Sequence, residues 1–522
     1  MGLYCFGICQ AQFFQSEIIS TNNISARFFS NGMVSFDGNN PHFAVPKDSG
    51  THALFAGCLW MGGFDDTYGV LHASFMRFDD SLTNFRPGPI ANNYNGLYQQ
   101  RYDKVWKVTQ QQIDYHRQHF TDINYVANTA ILDWPANGNV ANGEPAVLAP
   151  FADYNNNLVY EPEMGEHPVI LGDEALYIIY SDRFSPNSVN YGNPLKVDVH
   201  LMVYAYTGTG APAIKNTLFM HYNIVNRNTD GYHDLLIGSW SDFDLGDFSN
   251  DRVGCDTSLN SYFVYNANIP DVGMQGIKGY GYTKPAFGIK FLNTPLHAFA
   301  FFQNGAASNY SDPVTPFQHY NIMDAIWPDG VHFNWTDLTG YVGGQFNHMF
   351  PGSPCDSTAW SEVNITSITA GDRRALGSSG KHSLPVGDNF CFDMAYVFAN
   401  GSQQAACVAD AVDSLGIRMR QVQTFYNYQA DLCAKLSTSI APLNNGSLVV
   451  YPNPANDKAT LQFPDDELYN LRLLNVNGQE VLNVTGVSSR YTFNTSHLAP
   501  GVYMLVAENR HRRIAGKVVI QK

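Results

Sequence analysis

Apolar and polar residues alternate along most of the first 400 residues, which is the pattern of half-buried β-strands. Residues 26–37 hold two apolar runs on either side of Asn31-Gly32, which predicts a hairpin. Other strands are predicted at residues 197–206, 218–225, 287–292, 297–302 and 389–398. Turn-forming residues separate these runs at short intervals. The pattern therefore predicts a mainly β protein with a large β-sandwich-type body of one or two domains and a few helices.

One predicted helix interrupts the strands at residues 109–120. Thr109 and Gln112 predict a capping box at its start, because each side chain can satisfy the other residue's backbone N–H. His116 and His119 lie on this helix without the remaining residues of a metalloprotease motif. We expect both to face solvent or to pack against the neighbouring tyrosine.

Composition divides the chain into five parts. A second amphipathic helix is predicted over residues 403–430, with Gly416 expected to bend or break it. Residues 447–522 hold about seven short apolar runs, which predict a small Ig-like β-sandwich. The expected organisation is a signal-peptide remnant at 1–12, a β-rich body at 13–400, a helical segment at 401–433, a linker at 434–446 and a terminal domain at 447–522.

Charge is distributed unevenly along the chain. The formal net charge is −16, and residues 447–522 contain 8 basic and 6 acidic residues, so the preceding residues carry −18. An acidic body repels a phosphate backbone, which excludes nucleic acid as a partner. Abundant carboxylate and Asn side chains are compatible with Ca²⁺, a cation that takes oxygen ligands. No stretch reaches the ~18 consecutive apolar residues of a membrane-spanning helix, so no transmembrane segment is predicted.

Six of the eight cysteines lie outside the predicted signal-peptide remnant: Cys58, Cys255, Cys355, Cys391, Cys407 and Cys433. Their spacing does not predict a zinc site. Disulfides are plausible in an exported protein, since oxidising compartments preserve them. The sequence does not choose among the possible pairings, and buried thiols are the alternative.

Two groups of residues predict a cation site for Ca²⁺. Asp153, Asn155 and Asn157 alternate as the first three ligands of an EF-type loop do, with Glu161 near the ninth position and Leu158 where such a loop has Gly. In the second group, repulsion between neighbouring carboxylates would be relieved by a divalent cation. Its members are Asp242, Asp244, Asp247, Asp251 and Asp256. For both groups the alternative is a turn in which the side chains accept backbone hydrogen bonds.

Short motifs in the terminal domain carry a family resemblance. They include Tyr451-Pro452-Asn453-Pro454, Gly478, Gly501-x-Tyr503 and Lys517, in this order along the domain. The domain resembles the type A C-terminal sorting domain of cargo of the Bacteroidota type IX secretion system. The resemblance implies recognition by the outer-membrane translocon, removal by a sortase-like protease, and a secreted or cell-surface location. In the body, residues 57–63, 131–138, 150–173 and 239–266 resemble large secreted proteins of the same phylum.

The sequence leaves two classes of function open for the body. No nucleophile elbow, phosphate-binding loop or zinc-protease motif is found in the sequence, so no catalytic residue is predicted. A non-catalytic adhesive or matrix protein at the cell surface is therefore favoured. The alternative is a secreted hydrolase acting on polysaccharide or peptide, because the two carboxylates of a glycosidase leave no local pattern.

Overall fold

The computed structural model describes residues 14–77, 85–183, 192–208, 211–274, 276–303, 311–334, 344–429, 433, 448–463, 468–475, 479–508 and 513–522. The predicted signal-peptide remnant at 1–12, the predicted linker at 434–446 and Gly478 lie outside these residues. Within the described residues the protein is mainly β, as predicted. None of the helices there is both long enough and apolar enough to span a membrane.

Within the described residues, all strands of the body pair with their neighbours in antiparallel orientation. They are β1 Ser16–Ile19, β2 Ser25–Phe29, β3 Val34–Ser35, β4 Phe43–Ala44, β5 Ala56–Asp65, β6 Leu71–Ser74, β7 Arg86–Pro87, β8 Trp106–Thr109, β9 Glu174–Ser181, β10 Val197–Ala205, β11 Thr217–Asn226, β12 Tyr232–Phe243, β13 Asp251–Asp256, β14 Ser261–Asn266, β15 Asp271–Met274, β16 Ile277–Gly281, β17 Pro285–Phe291, β18 Ala298–Gln303, β19 Arg373–Leu384 and β20 Asn389–Asn400. The strands predicted from periodicity correspond to β2–β3, β10, β11, β17, β18 and β20.

Two large sheets are built from these strands. The first has the order β1-β2-β3-β5-β12-β19-β18, with β4 on β2 and β6 on β5. The second has the order β13-β14-β17-β20-β11-β10-β9-β7, with β8 on β9. A single hydrophobic core contains side chains of both, such as Phe43 and Phe243 of the first and Phe287 and Tyr396 of the second, whose rings are in contact. The body is therefore a β-sandwich.

The predicted hairpin at Asn31-Gly32 is confirmed, since Phe28 of β2 pairs with Val34 of β3. Gly32 has φ +89°, and a Cβ there would lie 2.6 Å from the Tyr180 ring. Only glycine fits this combination of left-handed backbone and close approach.

Helices cover the outer faces of both sheets or fill gaps at the sheet edges. They are α1 Gly96–Tyr102, α2 Gln110–His119, α3 Thr129–Leu132, α4 Pro212–Lys215, α5 Pro316–Met323 and α6 Ala411–Asn427. Single 3₁₀ turns lie at Val140–Asn142, Pro162–Met164, Phe248–Asn250, Thr257–Leu259 and Glu362–Asn364. A second hydrophobic core joins the outer face of the second sheet to α6 through Leu415, Met419 and Val422.

The predicted capping box of α2 is confirmed, because Thr109 and Gln112 bond each other's backbone N–H groups. The expectation that His116 faces solvent or packs on the tyrosine is wrong. Its side chain is buried, with Nδ1 3.0 Å from the Tyr125 hydroxyl and Nε2 3.1 Å from the Glu166 carbonyl oxygen. His119 does pack on Tyr115, with ring centroids 4.2 Å apart.

The second predicted helix differs from the observed α6 in two respects. It begins at Ala411, because the preceding carbonyl groups of Ala405 and Cys407 accept hydrogen bonds from the Lys284 ammonium group at 2.6 and 3.0 Å. It also continues unbroken through Gly416. A Cβ at that position would make an ordinary contact with Leu259 at 3.6 Å, so the packing of the helix does not depend on glycine there.

Two disulfides join the region around α6 to the rest of the body. Cys355 pairs with Cys407, and Cys391 of β20 pairs with Cys433. Cys58 and Cys255 are buried thiols. The structure thus selects one pairing from those that the sequence left open.

The terminal domain is a small sandwich of seven strands within the described residues, as predicted. Its strands are β21 Val449–Tyr451, β22 Lys458–Gln462, β23 Tyr469–Leu474, β24 Glu480–Val487, β25 Arg490–Asn494, β26 Gly501–Glu508 and β27 Arg513–Ile520. They form the sheets β21-β22-β25 and β24-β23-β26-β27. Leu461, Leu471 and Leu505 lie in the shared core.

Candidate functional site

The described sorting-motif residues converge on β27, the last strand of the terminal domain. The Asn453 side chain donates from Nδ2 to the carbonyl of Lys517 at 2.9 Å and accepts the Val519 N–H through Oδ1 at 2.8 Å. Its amide thus makes the two hydrogen bonds that a neighbouring strand would make. Ala455 continues the pairing with a parallel bridge to Ile520. The first and last motifs of the domain are therefore one structural unit.

The opposite side of β27 pairs with β26, which carries the remaining described motif residues. Gly501 lies opposite Ile520, and Tyr503 lies opposite Val518. Tyr503 is buried, and its hydroxyl donates to the Ala499 carbonyl at 3.0 Å. Residues 451–454 and Lys517 are exposed. Tyr503 therefore supports the domain, while the exposed residues along β27 present a surface to solvent.

In the body, three carboxylates meet where β12 ends and β19 begins. Asp242 pairs with Arg374 across these strands. Asp244 follows the end of β12 and Asp372 precedes the start of β19, so the antiparallel register brings them together. Ligand oxygens of Asp242, Asp244 and Asp372 all lie within 4.8 Å of one another. We call these three residues the aspartate cluster.

Two residues of the aspartate cluster are buried, and Asp372 is half-buried. Asp242 is 3% exposed and Asp244 is 6% exposed. Burial raises the pKa of both carboxyl groups well above the usual range, and nearby carboxylates raise the pKa of each further. Arg374 opposes this shift, and its Nε donates to Asp242 at 3.2 Å. The arrangement holds negative charge in a poorly solvated place.

The other acidic residues of the second predicted group have different positions. Asp251 is fully buried, its Oδ2 accepts the Leu245 N–H at 3.2 Å, and its charge acts on Asp244. Asp247 accepts the Ser249 N–H at 3.0 Å, and Asp256 accepts the Ser258 N–H at 2.9 Å. These last two cap 3₁₀ turns. Sequence reasoning missed Asp372, because only the pairing of β12 with β19 brings it to the site.

The first predicted group forms a closed loop. Asp153 is buried and accepts the N–H groups of Asn157 at 3.2 Å and Leu158 at 2.8 Å. The side-chain amides of Asn155 and Asn157 donate to Glu161 at 2.8 and 2.7 Å. Leu158 has φ +60°, the left-handed region that Gly favours. The structure thus brings the four predicted residues together, and metal binding by them stays a prediction.

Glu166 supports the same loop, although sequence reasoning did not identify it. It is buried, and it accepts the N–H groups of Tyr154 at 3.1 Å and Glu161 at 2.8 Å. Burial raises the pKa of its carboxyl group, with the charges of Asp153 and Glu161 adding to the shift. We call residues 153–166 the Asx loop.

A buried histidine–aspartate pair lies beneath α6. His221 Nδ1 is 2.6 Å from Asp393 Oδ1, and the Tyr426 hydroxyl donates to the other oxygen of Asp393 at 2.5 Å. The side chains of the pair are 2% and 3% exposed. Among the described residues, His221 Nε2 has no hydrogen-bond partner. The pair has the geometry of a base with its orienting carboxylate, without an adjacent nucleophile hydrogen-bonded to it.

Residues 449–521 match the family described as the secretion system C-terminal sorting domain. The terminal domain is therefore a type IX secretion sorting domain, which confirms the resemblance carried by its motifs. It directs the protein to the cell surface or the extracellular space. No curated protein sequence matches the chain.

Two solved structures show weak likeness to the chain. A polysaccharide lyase aligns with 9% identity and a TM-score of 0.20, over 65% of this chain and 36% of the lyase. PorZ, described as a surface component of the type IX secretion system of Porphyromonas gingivalis, aligns with 9% identity and a TM-score of 0.14, over 67% of this chain and 58% of PorZ. This chain thus spans less than two thirds of either protein, and neither likeness carries an argument about the body.

Proposed function

We propose that the type IX outer-membrane translocon recognises the terminal domain, and that a sortase-like protease then removes this domain. The body acts at the cell surface as a non-catalytic adhesive or matrix protein. The family match at residues 449–521 supports the export route. The exposed residues 451–454 and Lys517, held together along β27, are the surface that we assign to recognition.

The burial of the acidic groups supports a non-catalytic body. A glycosidase needs two carboxyl groups in contact with the sugar on either side of the bond that breaks. Asp242 and Asp244 converge, but at 3% and 6% exposure they leave no space for a sugar ring between them. The His221–Asp393 pair is similarly enclosed. The convergent titratable groups described above are thus shielded from a polymer substrate.

The segment between β8 and β9 supports a binding role. It lies over the outer face of the second sheet and contributes Ile131, Trp134 and Leu148 to the second core. The same segment exposes large apolar side chains, with Ile123 at 92% and Val126 at 79%. Apolar side chains held in solvent are the kind that an adhesive surface buries against its partner.

Export is tested with the full chain in a bacterium that has a type IX system. Deleting residues 447–522 should leave the remainder in the periplasm. Asn453→Ala should lower the amount at the surface, because it removes both hydrogen bonds to β27. Asn483→Ala is the matched control, since Asn483 is exposed and bonds only the Glu480 side chain among the described residues. Unchanged surface levels after the deletion would refute the export route.

The role of the body is tested by offering the purified chain polysaccharides and peptides and measuring both binding and cleavage. We expect binding to at least one polymer without turnover. Turnover that Asp244→Asn or His221→Ala abolishes would instead establish the secreted hydrolase, and the adhesive or matrix role would be dropped. Asp256→Asn serves as the matched control for Asp244→Asn.

A further inference from the structure

The aspartate cluster contains a carboxylate that the protein leaves without a counterpart. Among the described residues, Asp244 makes no side-chain hydrogen bond and no ion pair, although it is only 6% exposed. Asp242 Oδ1 is also buried without a hydrogen-bond partner. Buried carboxylate oxygens normally have donors, because the loss of hydration is otherwise not compensated.

In the ion pairs that the structure describes around the cluster, guanidinium groups are fewer than carboxylates. Arg374 donates to both Asp242 and Asp312, and Arg77 lies 3.5 Å from the same Asp312 carboxylate. Counting these groups, two guanidinium groups face four carboxylates, which leaves −2 when all are ionised: Asp242, Asp244, Asp312 and Asp372. One divalent cation would neutralise this charge.

Asp251 does not change this count once its own surroundings are included. Arg373 and Arg252 flank Glu362, with guanidinium–carboxylate distances of 2.7 and 3.5 Å. These three side chains together have a net charge of +1, and the positive charge of Arg373 acts on the Asp251 carboxylate. Asp251 therefore lies between this positive group and the carboxylates of Asp271 and Asp372, and it is not counted with the aspartate cluster.

We propose that Asp242, Asp244 and Asp372 bind a divalent cation, and that this cation is Ca²⁺. All three ligands are carboxylates, and hard cations such as Ca²⁺ prefer oxygen, whereas Zn²⁺ is usually held by His or Cys as well. The cation joins the end of β12 to the start of β19, two central strands of the first sheet. The site is independent of the proposed adhesive role, because it rests only on buried and half-buried carboxylates at the end of the first sheet.

The test uses the purified full chain, stripped of metal with a chelator and then titrated with Ca²⁺ or Mg²⁺. Calorimetry should detect Ca²⁺ binding, and millimolar Ca²⁺ should raise the melting temperature, since a ligand of the native state stabilises it. Asp244→Asn and Asp372→Asn should each weaken Ca²⁺ binding by more than about tenfold, because even the loss of an outer partner of a ligand costs that much.

Two control variants and a melting experiment in chelator test whether the cation is bound by the aspartate cluster. Asp247→Asn and Asp256→Asn should retain the Ca²⁺ response, because these residues cap turns outside the cluster. In chelator, Asp244→Asn should melt higher than the wild type, because it removes a buried carboxylate without a partner. Equal melting of the wild type in Ca²⁺ and in chelator, or an unreduced Ca²⁺ response in both cluster variants, would overturn the proposal. A response that survives only when Glu161 is intact would place the cation in the Asx loop and would overturn it too.

Discussion

The Asx loop and the aspartate cluster both contain closely spaced Asp residues, but the carboxylates have different partners in the two regions. In the Asx loop, Asp153 and Glu166 accept backbone N–H groups of the same loop. In the aspartate cluster, Asp242 and Asp244 face other carboxylates, and the Arg374 guanidinium group donates to Asp242. Both regions bury Asp side chains, so burial alone does not distinguish them. The difference is whether the hydrogen-bond donors come from adjacent residues or from strands distant in the sequence.

This comparison shows what an acidic sequence pattern can mean. Where short loops place N–H groups around a carboxylate, the charge stabilises the loop without another ion. Where two strands end beside each other, carboxylates accumulate without such donors, and their charge must be neutralised from elsewhere. Arg374 supplies part of this neutralisation.

The largest effect is expected from Arg374→Ala. This change leaves the buried carboxylate of Asp242 without its guanidinium partner, while Asp312 keeps Arg77. Breaking a buried ion pair from one side costs about 3–5 kcal/mol of unfolding free energy. Chemical denaturation measures the loss. Arg117→Ala is the control, because the exposed pair with Asp114 is worth less than about 1 kcal/mol. Equal losses for the two variants would remove the distinction between the regions.

A smaller effect is expected from Asp153→Ala in the Asx loop. It removes the acceptor for the Asn157 and Leu158 N–H groups, and a lost hydrogen bond to a buried group costs about 1–3 kcal/mol. The loss should be local, so hydrogen exchange should accelerate at residues 154–161 and remain unchanged in β12 and β19. Asp133→Ala, which removes an exposed partner of Lys104, is the control. Faster exchange throughout the first sheet would contradict the self-contained nature of the loop.

The smallest effect is expected from Leu158→Gly. Leu158 is partly exposed and has φ +60°, a conformation that costs a non-glycine residue about 1 kcal/mol or more. Glycine relieves this strain but makes the unfolded chain more flexible, which offsets about 0.4–1 kcal/mol. We expect thermal melts to show unchanged or slightly raised stability. Val159→Gly lacks the strain to relieve and should be destabilising. A clear loss for Leu158→Gly would show that its side chain, not its backbone, matters to the loop.

Local features of the sequence were sufficient to predict much of the fold. A few adjacent residues determine the hairpin at Asn31-Gly32, the capping box at Thr109 and each short motif of the terminal domain. The sorting domain could be recognised from short motifs for the same reason, and the family match confirms it. The residues of the Asx loop were also expected to lie together, because their spacing and their hydrogen bonds are contained within a short segment, and metal binding by them stays a prediction.

Features that depend on distant pairing were missed or misplaced. Asp372 joins the aspartate cluster only through the register of β12 and β19, in which Asp242 and Arg374 are 132 positions apart. His116 is buried because Tyr125 and Glu166 supply its partners, which the period of α2 does not reveal. The start of α6 is set by Lys284, a residue of another strand region. Sequence periodicity predicts the helices and strands, whereas tertiary contacts determine which of their side chains lie next to each other.

The disulfide between Cys391 and Cys433 has a mechanical consequence. Cys433 is the last described residue before the terminal domain, and Cys391 lies in β20, which is flanked on both sides by strands of the second sheet. A pulling force applied from the C-terminal side therefore passes through a covalent bond into an interior strand and bypasses α6. Peeling the helix away requires that bond to be reduced first. Reducing agents should therefore lower the force at which the C-terminal side of the body unfolds.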